Sequence, residues 1–359
     1  MSYIRKATRA RSVAHQFHIW VGGILALFMV VMAASGSLLL WKDDYLRWAT
    51  PKAAQSVPAR PSSVLAATID RARSHYGDRL IMVQFASERM GVDQYRLTDG
   101  GAYADPANGR LIEEWRKNER FLDIAFDLHH RLLAGATGET AIGILGILSF
   151  MLVIAGLFLW WPYARLFKPK LIPDRLSKPA LLKVHRDMGL LFAVPILLLS
   201  VTGTAMIFHD AAKQVLLSLT RENLPITHKI VAKPGQIDWR KALAIAEMQF
   251  PGAELRSVSW PKAAGEPAQV RLRQNGELTP QGRTVIIFDP ANMHMLTVTD
   301  ALQQPRAIRI INSFYPLHAG KTWGRTYQII LTIIGVSFLA LSAYAFLAFL
   351  KRLNPIRPR

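Results

Sequence analysis

Four stretches of the chain run apolar without a single Asp, Glu, Lys or Arg: Ile19–Trp41, Ala141–Tyr163, Leu190–Phe208 and Thr326–Leu350. A helix needs about 20 such residues to cross the hydrocarbon core of a bilayer. The pattern therefore predicts four transmembrane helices, TM1 to TM4. Between TM1 and TM2, and again between TM3 and TM4, the pattern changes. Each intervening region opens on a helix-period segment, Ser63–Tyr76 and Trp239–Phe250. Short strand-like runs follow: "LIMVQFA", "QYRLT" and "GRLIEEW" in the first region, "LRSVSW", "AQVRLRQ" and "RTVIIFD" in the second. A helix followed by antiparallel strands reads as a small α+β module. Pro51–Pro61 reads as a linker from TM1, and "PGAELRSVSWP" and "PKAAGEPAQ" as loops around strands.

The order helix, module, helix occurs twice, and the spacing repeats with it. His18 is followed by Gly22 and Gly36, and His185 by Gly189 and Gly203, at separations of 4 and 18 in both cases. "ASGSLLLW" (34–41) matches "VTGTAMIF" (201–208). "FDLHHRLLAG" (126–135) matches "YPLHAGKTWG" (315–324). His129 precedes Gly135 by 6 and Gly146 by 17, and His318 precedes Gly324 and Gly335 by the same numbers. Both modules carry "DPAN", at 105–108 and 289–292, each entering a strand-like stretch ("GRLIEEW", "MHMLTVTD").

Charge sets the orientation. The 359-residue chain has a net charge of +19 and is 51% hydrophobic. The segments before TM1, between TM2 and TM3 and after TM4 hold 15 Lys and Arg against only Asp174 and Asp187. Residues 42–140 hold 14 basic and 14 acidic residues, and residues 209–325 hold 15 and 9. By the positive-inside rule both termini and the loop between TM2 and TM3 are cytoplasmic, and the two modules face the other side. The surplus charge is mostly juxtamembrane, which removes the basis for nucleic-acid binding. Arg5, Lys6, Arg9 and Arg11 precede TM1, but its apolar run is long for a signal peptide and no clear cleavage site follows, so an uncleaved anchor is expected. The absence of cysteine excludes disulfides, iron–sulfur clusters, thiolate zinc sites and covalent haem attachment.

The boundaries that follow are a cytoplasmic arm with TM1 (1–41), a first module (42–128), TM2 (129–163), a basic loop (164–183), TM3 (184–209), a second module (210–317), TM4 (318–350) and a tail (351–359). The fold class is membrane α-helical: four transmembrane helices in two tandem repeats, with two extracytoplasmic α+β domains.

Ten histidines occur, and four fall at matched places. His18 and His185 lie at the cytoplasmic ends of TM1 and TM3. His129 and His318 lie at the outer ends of TM2 and TM4. Each membrane face thus receives two histidines from different helices. One interfacial histidine is more often a polar anchor, and glycines in membrane helices are more often packing residues. Four at duplicated spacing are harder to explain so. A pair of imidazoles from facing helices is the usual way to hold a b-type haem, and Gly22, Gly36, Gly189 and Gly203 clear a helix face for a backbone or a flat ring. Two b-type haems are therefore a candidate cofactor set, their iron bound through His18 with His185 and through His129 with His318. A different metal site competes, but the spans hold no carboxylate to complete a hard-metal shell and nothing resembles H-E-x-x-H.

Other candidates are less defined. His130 adjoins His129 and is an alternate. His15 shares a helix face with His18. On a straight TM3, His209 stands about 36 Å from His185, at about 1.5 Å per residue, where it could assist the outer site. His75, His228 and His294 read as surface residues. Arg131, Arg186, Lys321 and Arg325 flank the candidate ligands and suit haem propionates or lipid phosphates equally. No nucleophile elbow, Walker loop or dinucleotide fingerprint is present.

The chain resembles the PepSY-associated transmembrane helix family through "FHIWVGG" and "VHRDMGLL", the "ASG" and "VTG" inside the following helices, "LHHRLLAGATGE", "PLHAGKTWG" and the "DPAN" turns. Together they cover nearly the whole chain. Within that family it is most similar to FoxB-like ferrisiderophore reductases of the bacterial inner membrane. The resemblance implies PepSY-like periplasmic domains and two b haems passing electrons to a ferric siderophore, with His18, His185, His129 and His318 at the ligand positions. The donor would be a cytoplasmic reductant or quinol. The family pattern has one histidine before arginine where this chain has His129 and His130. Reduction suits release, because an oxygen-rich siderophore holds Fe(III) far better than Fe(II), and it needs no general acid or base. The second module's +6 surplus, with Trp239, Trp260 and Trp323, suits a bulky chelate, although core packing is the ordinary role of a tryptophan. Three other functions fit the sequence: a haem carrier for a quinone or another periplasmic acceptor, a membrane-anchored PepSY binding module without redox activity, and a siderophore transporter. Uncharged spans with only Pro162 and Pro195 as interruptions argue against the transporter.

Overall fold

The structure is a computed structural model describing residues 2–161, 167, 169–223, 232, 233, 235–261, 263 and 265–354, with side chains from residue 9 onward. His228, the end of TM2 at Pro162 and Tyr163, parts of the basic loop and residues 355–359 lie outside the described residues. The chain divides into a helical unit and a sheet unit.

In the helical unit, three helices among the described residues are long and apolar enough to span a membrane: α1 (Ser2–Leu40, apolar from Arg9), α5 (Gly135–Trp160) and α11 (Gly324–Leu353). A fourth span exists only if α6 (Lys178–Leu191) and α7 (Ala193–Ile207) are counted together, and these meet at a 70° bend. TM3 was expected straight. The bend has a local cause: in an unbroken helix Pro195 would have no N–H to give the Leu191 carbonyl, and its ring would press on that oxygen. The chain instead turns at Phe192, which is neither helical nor extended. α1 packs along α11, α5 along α7, and α6 against α11. A buried cluster of Val184, Met188, Ile196 and Leu341 anchors the bend.

Two further boundaries differ from the pattern reading. His129 belongs to α4 (Phe121–Arg131), and His318 ends α10 (Arg306–His318), so neither sits on the spanning helix that follows. Left-handed turns separate the helices. Leu132, Leu133 and Gly135 have positive φ before α5, and Gly320, Trp323 and Gly324 have it before α11. This explains the matched glycines six residues after each histidine: Gly135 and Gly324 take φ of 58° and 69°, where a side chain is strained.

In the sheet unit, α2 (Lys42–Ala49) and α3 (Ser62–Tyr76) precede β1 (Leu80–Gln84), β2 (Asp93–Leu97), β3 (Gly100–Ala104) and β4 (Leu111–Arg116). α8 (His209–Thr220) and α9 (Trp239–Gln249) precede β5 (Glu254–Ser259), β6 (Ala268–Arg273), β7 (Thr284–Phe288) and β8 (Met295–Thr299). The two modules were expected as separate domains. All eight strands instead form one antiparallel sheet in the order β4-β3-β2-β1-β5-β6-β7-β8, joined at its centre by β1 with β5. α3 and α9 lie side by side on it, and their apolar faces share one core that includes Ile69, Val83, Leu243, Val270 and Phe288. On β6, Ala268, Val270 and Leu272 point into that core, which sends Gln269, Arg271 and Arg273 to the opposite face.

β3 had no counterpart in the pattern reading, because "GGAYA" looks like a loop. Its glycines are needed: a Cβ on Gly100 would lie 1.9 Å from the Trp115 carbonyl oxygen, and one on Gly101 2.7 Å from the Trp115 ring. The two "DPAN" stretches are matching turns. Asp105 accepts from the Ala107 amide and Asn108 from that of Arg110, and Asp289 and Asn292 do the same for Ala291 and His294.

Candidate functional site

The helical unit brings the four matched histidines together as two pairs. His18 on α1 faces His185 on α6 with ring centres 6.1 Å apart. His129 at the end of α4 faces His318 at the end of α10 at 6.2 Å. Each pair joins the same position of the two halves of the chain.

Local packing fixes the rings of His129 and His318. The Ser35 hydroxyl donates to the Val31 carbonyl at 2.7 Å, so its lone pair is left to accept from His129 Nδ1 at 3.1 Å. Thr202 repeats this: its hydroxyl donates to Leu198 at 2.7 Å and meets His318 Nδ1 at 3.0 Å. With Nδ1 carrying the proton in both, Nε2 keeps its lone pair. A Cβ on Gly36 would lie 2.8 Å from His129 Cε1, and one on Gly203 3.1 Å from His318 Cε1. These two glycines are the floor on which the rings lie. The Tyr327 hydroxyl, donating to the Leu317 carbonyl at 2.8 Å, ties the end of α10 to α11.

The other pair opens on a cavity of about 410 Å³. His185 Nδ1 lies 3.3 Å from the Leu341 carbonyl, which only accepts, so Nδ1 is again the protonated nitrogen. His18 Nδ1 faces the Leu152 carbonyl without a well-aligned hydrogen bond. Gly22 and Gly189 line the cavity with room above them, where an added Cβ would meet only side chains at 3.5 Å and 3.9 Å. The walls are mostly apolar, with Lys178, Arg186 and Arg352 among them.

This donor set can be tested against a metal. Among the described residues no three His, Asp or Glu converge on one point. Two imidazoles alone suit a metal that brings its own in-plane ligands, as haem iron does. A metal–nitrogen bond of about 2 Å, with about 1.1 Å from nitrogen to ring centre, would let two facing imidazoles share one metal at about 6.2 Å between centres. Both pairs fit that spacing. Edge-on ring contacts fall in the same range, so the nitrogens decide between them: three of the four rings are held through Nδ1 and keep Nε2 free. The residues fit the group.

The profile of the PepSY-associated TM region matches residues 15–352. The chain belongs to that family. No curated protein matches the chain significantly.

In this PepSY-associated TM protein the alternates go elsewhere. His130 stacks on Phe126 at 5.4 Å and its Nδ1 lies 4.0 Å from Glu139, so the ring opposite His318 is that of His129. His15 is exposed on α1. His209 opens α8, more than half exposed, 3.5 Å from Asp210. The straight-helix distance to it does not apply beyond the bend at Phe192. Arg131 is bound to Glu139 at 3.1 Å and lies 3.7 Å from Asp127. Arg325 donates to Gln328 in the first turn of α11, and Lys321 lies in the turn before it. Arg186 pairs with the buried Asp187 at 3.0 Å and also lines the cavity. Trp239 and Trp260 pack on each other at 4.9 Å in the sheet core, while Trp323 is exposed in the turn before α11.

Sequence reasoning missed Ser35, Thr202, Lys178 and Arg352. For the first two the signal was present: a hydroxyl residue precedes the glycine in both "ASG" and "VTG".

Proposed function

We propose that this protein is a di-haem transmembrane electron carrier that reduces a ferric siderophore. In this reading it lies in a bacterial inner membrane, with the bent pair as a fourth span of a tandem duplication. Both termini are cytoplasmic and the sheet unit is periplasmic. The observation that carries the reading is the pair of matched histidine contacts, 6.1 and 6.2 Å between ring centres, built from equivalent positions of the two halves.

His18 and His185 would hold the cytoplasmic haem, and His129 and His318 the outer one. Bound there, each haem supplies one-electron chemistry at its iron. The chain's own residues do the rest. Ser35, Thr202 and the Leu341 carbonyl fix the ring tautomers and raise the basicity of the imidazoles toward a metal. Lys178, Arg186 and Arg352 offer cationic partners to the carboxylates of a macrocycle in the inner cavity. The apolar walls exclude water from it. Loss of Fe(II) from the reduced chelate then releases iron outside the membrane.

The test is a dithionite-reduced minus oxidised spectrum of the purified protein in mild detergent, with a pyridine haemochrome count. Two b haems per chain are expected. His185→Ala and His129→Ala should each lose one of them, while His130→Ala keeps both. Ferric siderophore should then reoxidise the reduced protein. A colourless protein would leave an anchored binding module, and reoxidation by quinone alone would make the chain a carrier for another acceptor.

A further inference from the structure

The face of the sheet opposite α3 and α9 carries a cluster of arginines that neither the core nor the histidine pairs use. Arg96 stands on β2, Arg271 and Arg273 on β6. Arg256 occupies the irregularity of β5 between Leu255 and Ser257, so it sits beside the Ser257–Arg271 pair. Arg283 leads into β7, and Arg89 lies in the turn between β1 and β2. Arg256 feels Arg273 and Arg89, and Arg271 feels Arg283 and Arg96. Among the described residues, Glu254 faces Arg256 and Glu277 faces Arg271, while Asp43 lies with Arg89 and Arg283 around Tyr315. Glu254 accepts from Arg256 at 2.5 Å. Glu277 uses its oxygens on the Gln274 and Arg283 amides and the Thr284 hydroxyl.

Two features show that the cluster is incomplete as it stands. Arg256 is only 4% exposed, yet its Nε, like those of Arg273 and Arg283, is buried without an acceptor. Burial, together with the neighbouring arginines, pushes the guanidinium pKa of both Arg256 and Arg271 down. A guanidinium nevertheless keeps its proton in a protein, so the cluster stays cationic and can take an anion. Planar forks on three adjacent strands match carboxylates two oxygens at a time, and more than one carboxylate is needed to reach them all.

We propose that this face binds a polycarboxylate, and that the siderophore class taken by the protein is the anionic, carboxylate-bearing kind rather than the neutral hydroxamate kind. The choice of an iron chelate rests on the proposed reductase function; the anion site does not. The test is equilibrium binding of iron-radiolabelled ferric citrate to the oxidised full-length protein in neutral detergent, where no electron moves. Wild-type protein should bind it, more weakly as salt rises. Arg271→Gln with Arg283→Gln should weaken binding about tenfold or more. Arg271→Lys should fall between, and a neutral ferric trihydroxamate should be indifferent to all three. If the double variant fails to fold, Arg273→Gln, at a partly exposed position, replaces it. Ferric citrate binding that is absent, or unchanged in the variants, overturns the proposal. So does binding of phosphatidylglycerol vesicles in place of ferric citrate. Arginine-dependent binding without haem reoxidation would keep the site and remove the reductase reading.

Discussion

Ser35→Ala removes one oxygen from the outer pair. That oxygen accepts from His129 Nδ1 at 3.1 Å while its own proton is spent on Val31 at 2.7 Å. The Met32 carbonyl also faces this ring, but the hydroxyl is the aligned acceptor at Nδ1. Without it the N–H loses its best partner, at a cost of about 1–3 kcal/mol. The ring is also free to exchange tautomers and turn Nε2 away from His318. Losing such an outer partner lowers metal affinity by about 10–100-fold. The outer haem should therefore dissociate about 10–100 times faster, followed in detergent by transfer to excess apomyoglobin in the Soret band. The inner haem should leave at its original rate. Thr202→Ala should do the same through His318, and Ser35→Thr should restore retention. If Ser35→Ala and Thr202→Ala both keep two haems at wild-type rates, the hydroxyls do not position the rings and the tautomer assignment fails.

Three further outcomes follow from the geometry. Gly36→Ala puts a methyl 2.8 Å from the His129 ring and should lose the outer haem while keeping the inner one, by haemochrome count. Asp93, fully buried, holds both Arg60 and the Ala86 amide; Asp93→Ala strands the arginine and should cost about 3–5 kcal/mol, read as a lower melting temperature of the sheet unit by tryptophan fluorescence. The Lys52 ammonium and the Ala107 amide hold the Asp105 carboxyl below its usual range, so its contribution is complete above an unfolded value of about 4 and is lost as pH falls through the lower folded value. Lys52→Met should lower the neutral plateau of stability and flatten the acid limb, so that variant and wild type converge as pH falls through the folded value.

The histidine pairing was legible because duplicated spacing ties residues that are far apart in the chain: 18 with 185 and 129 with 318 are pairs in the sequence pattern and in space. The apolar runs gave three spans outright, because an unbroken hydrophobic run has few alternatives. What was illegible depends on geometry that periodicity does not encode. The bend at Phe192 depends on where the chain relieves the clash that Pro195 would impose on an unbroken helix. β3 is hidden because its glycines are chosen by Trp115 on the neighbouring strand, not by strand propensity. The turns after His129 and His318 look like helix in an apolar window, and only the left-handed φ of Gly135 and Gly324 separates them. The merging of the modules into one sheet depends on three residue pairs between β1 and β5.

That junction has an evolutionary reading. Met82, Val83 and Gln84 run antiparallel to Ser259, Val258 and Ser257, and an antiparallel pair is the one strand contact that a two-fold axis can generate from identical copies. A chain of half this length would end in an open β1 edge, and the surface best shaped to close it is the same edge of a second molecule. The histidine pairs carry the same mark, since each takes one partner from either half.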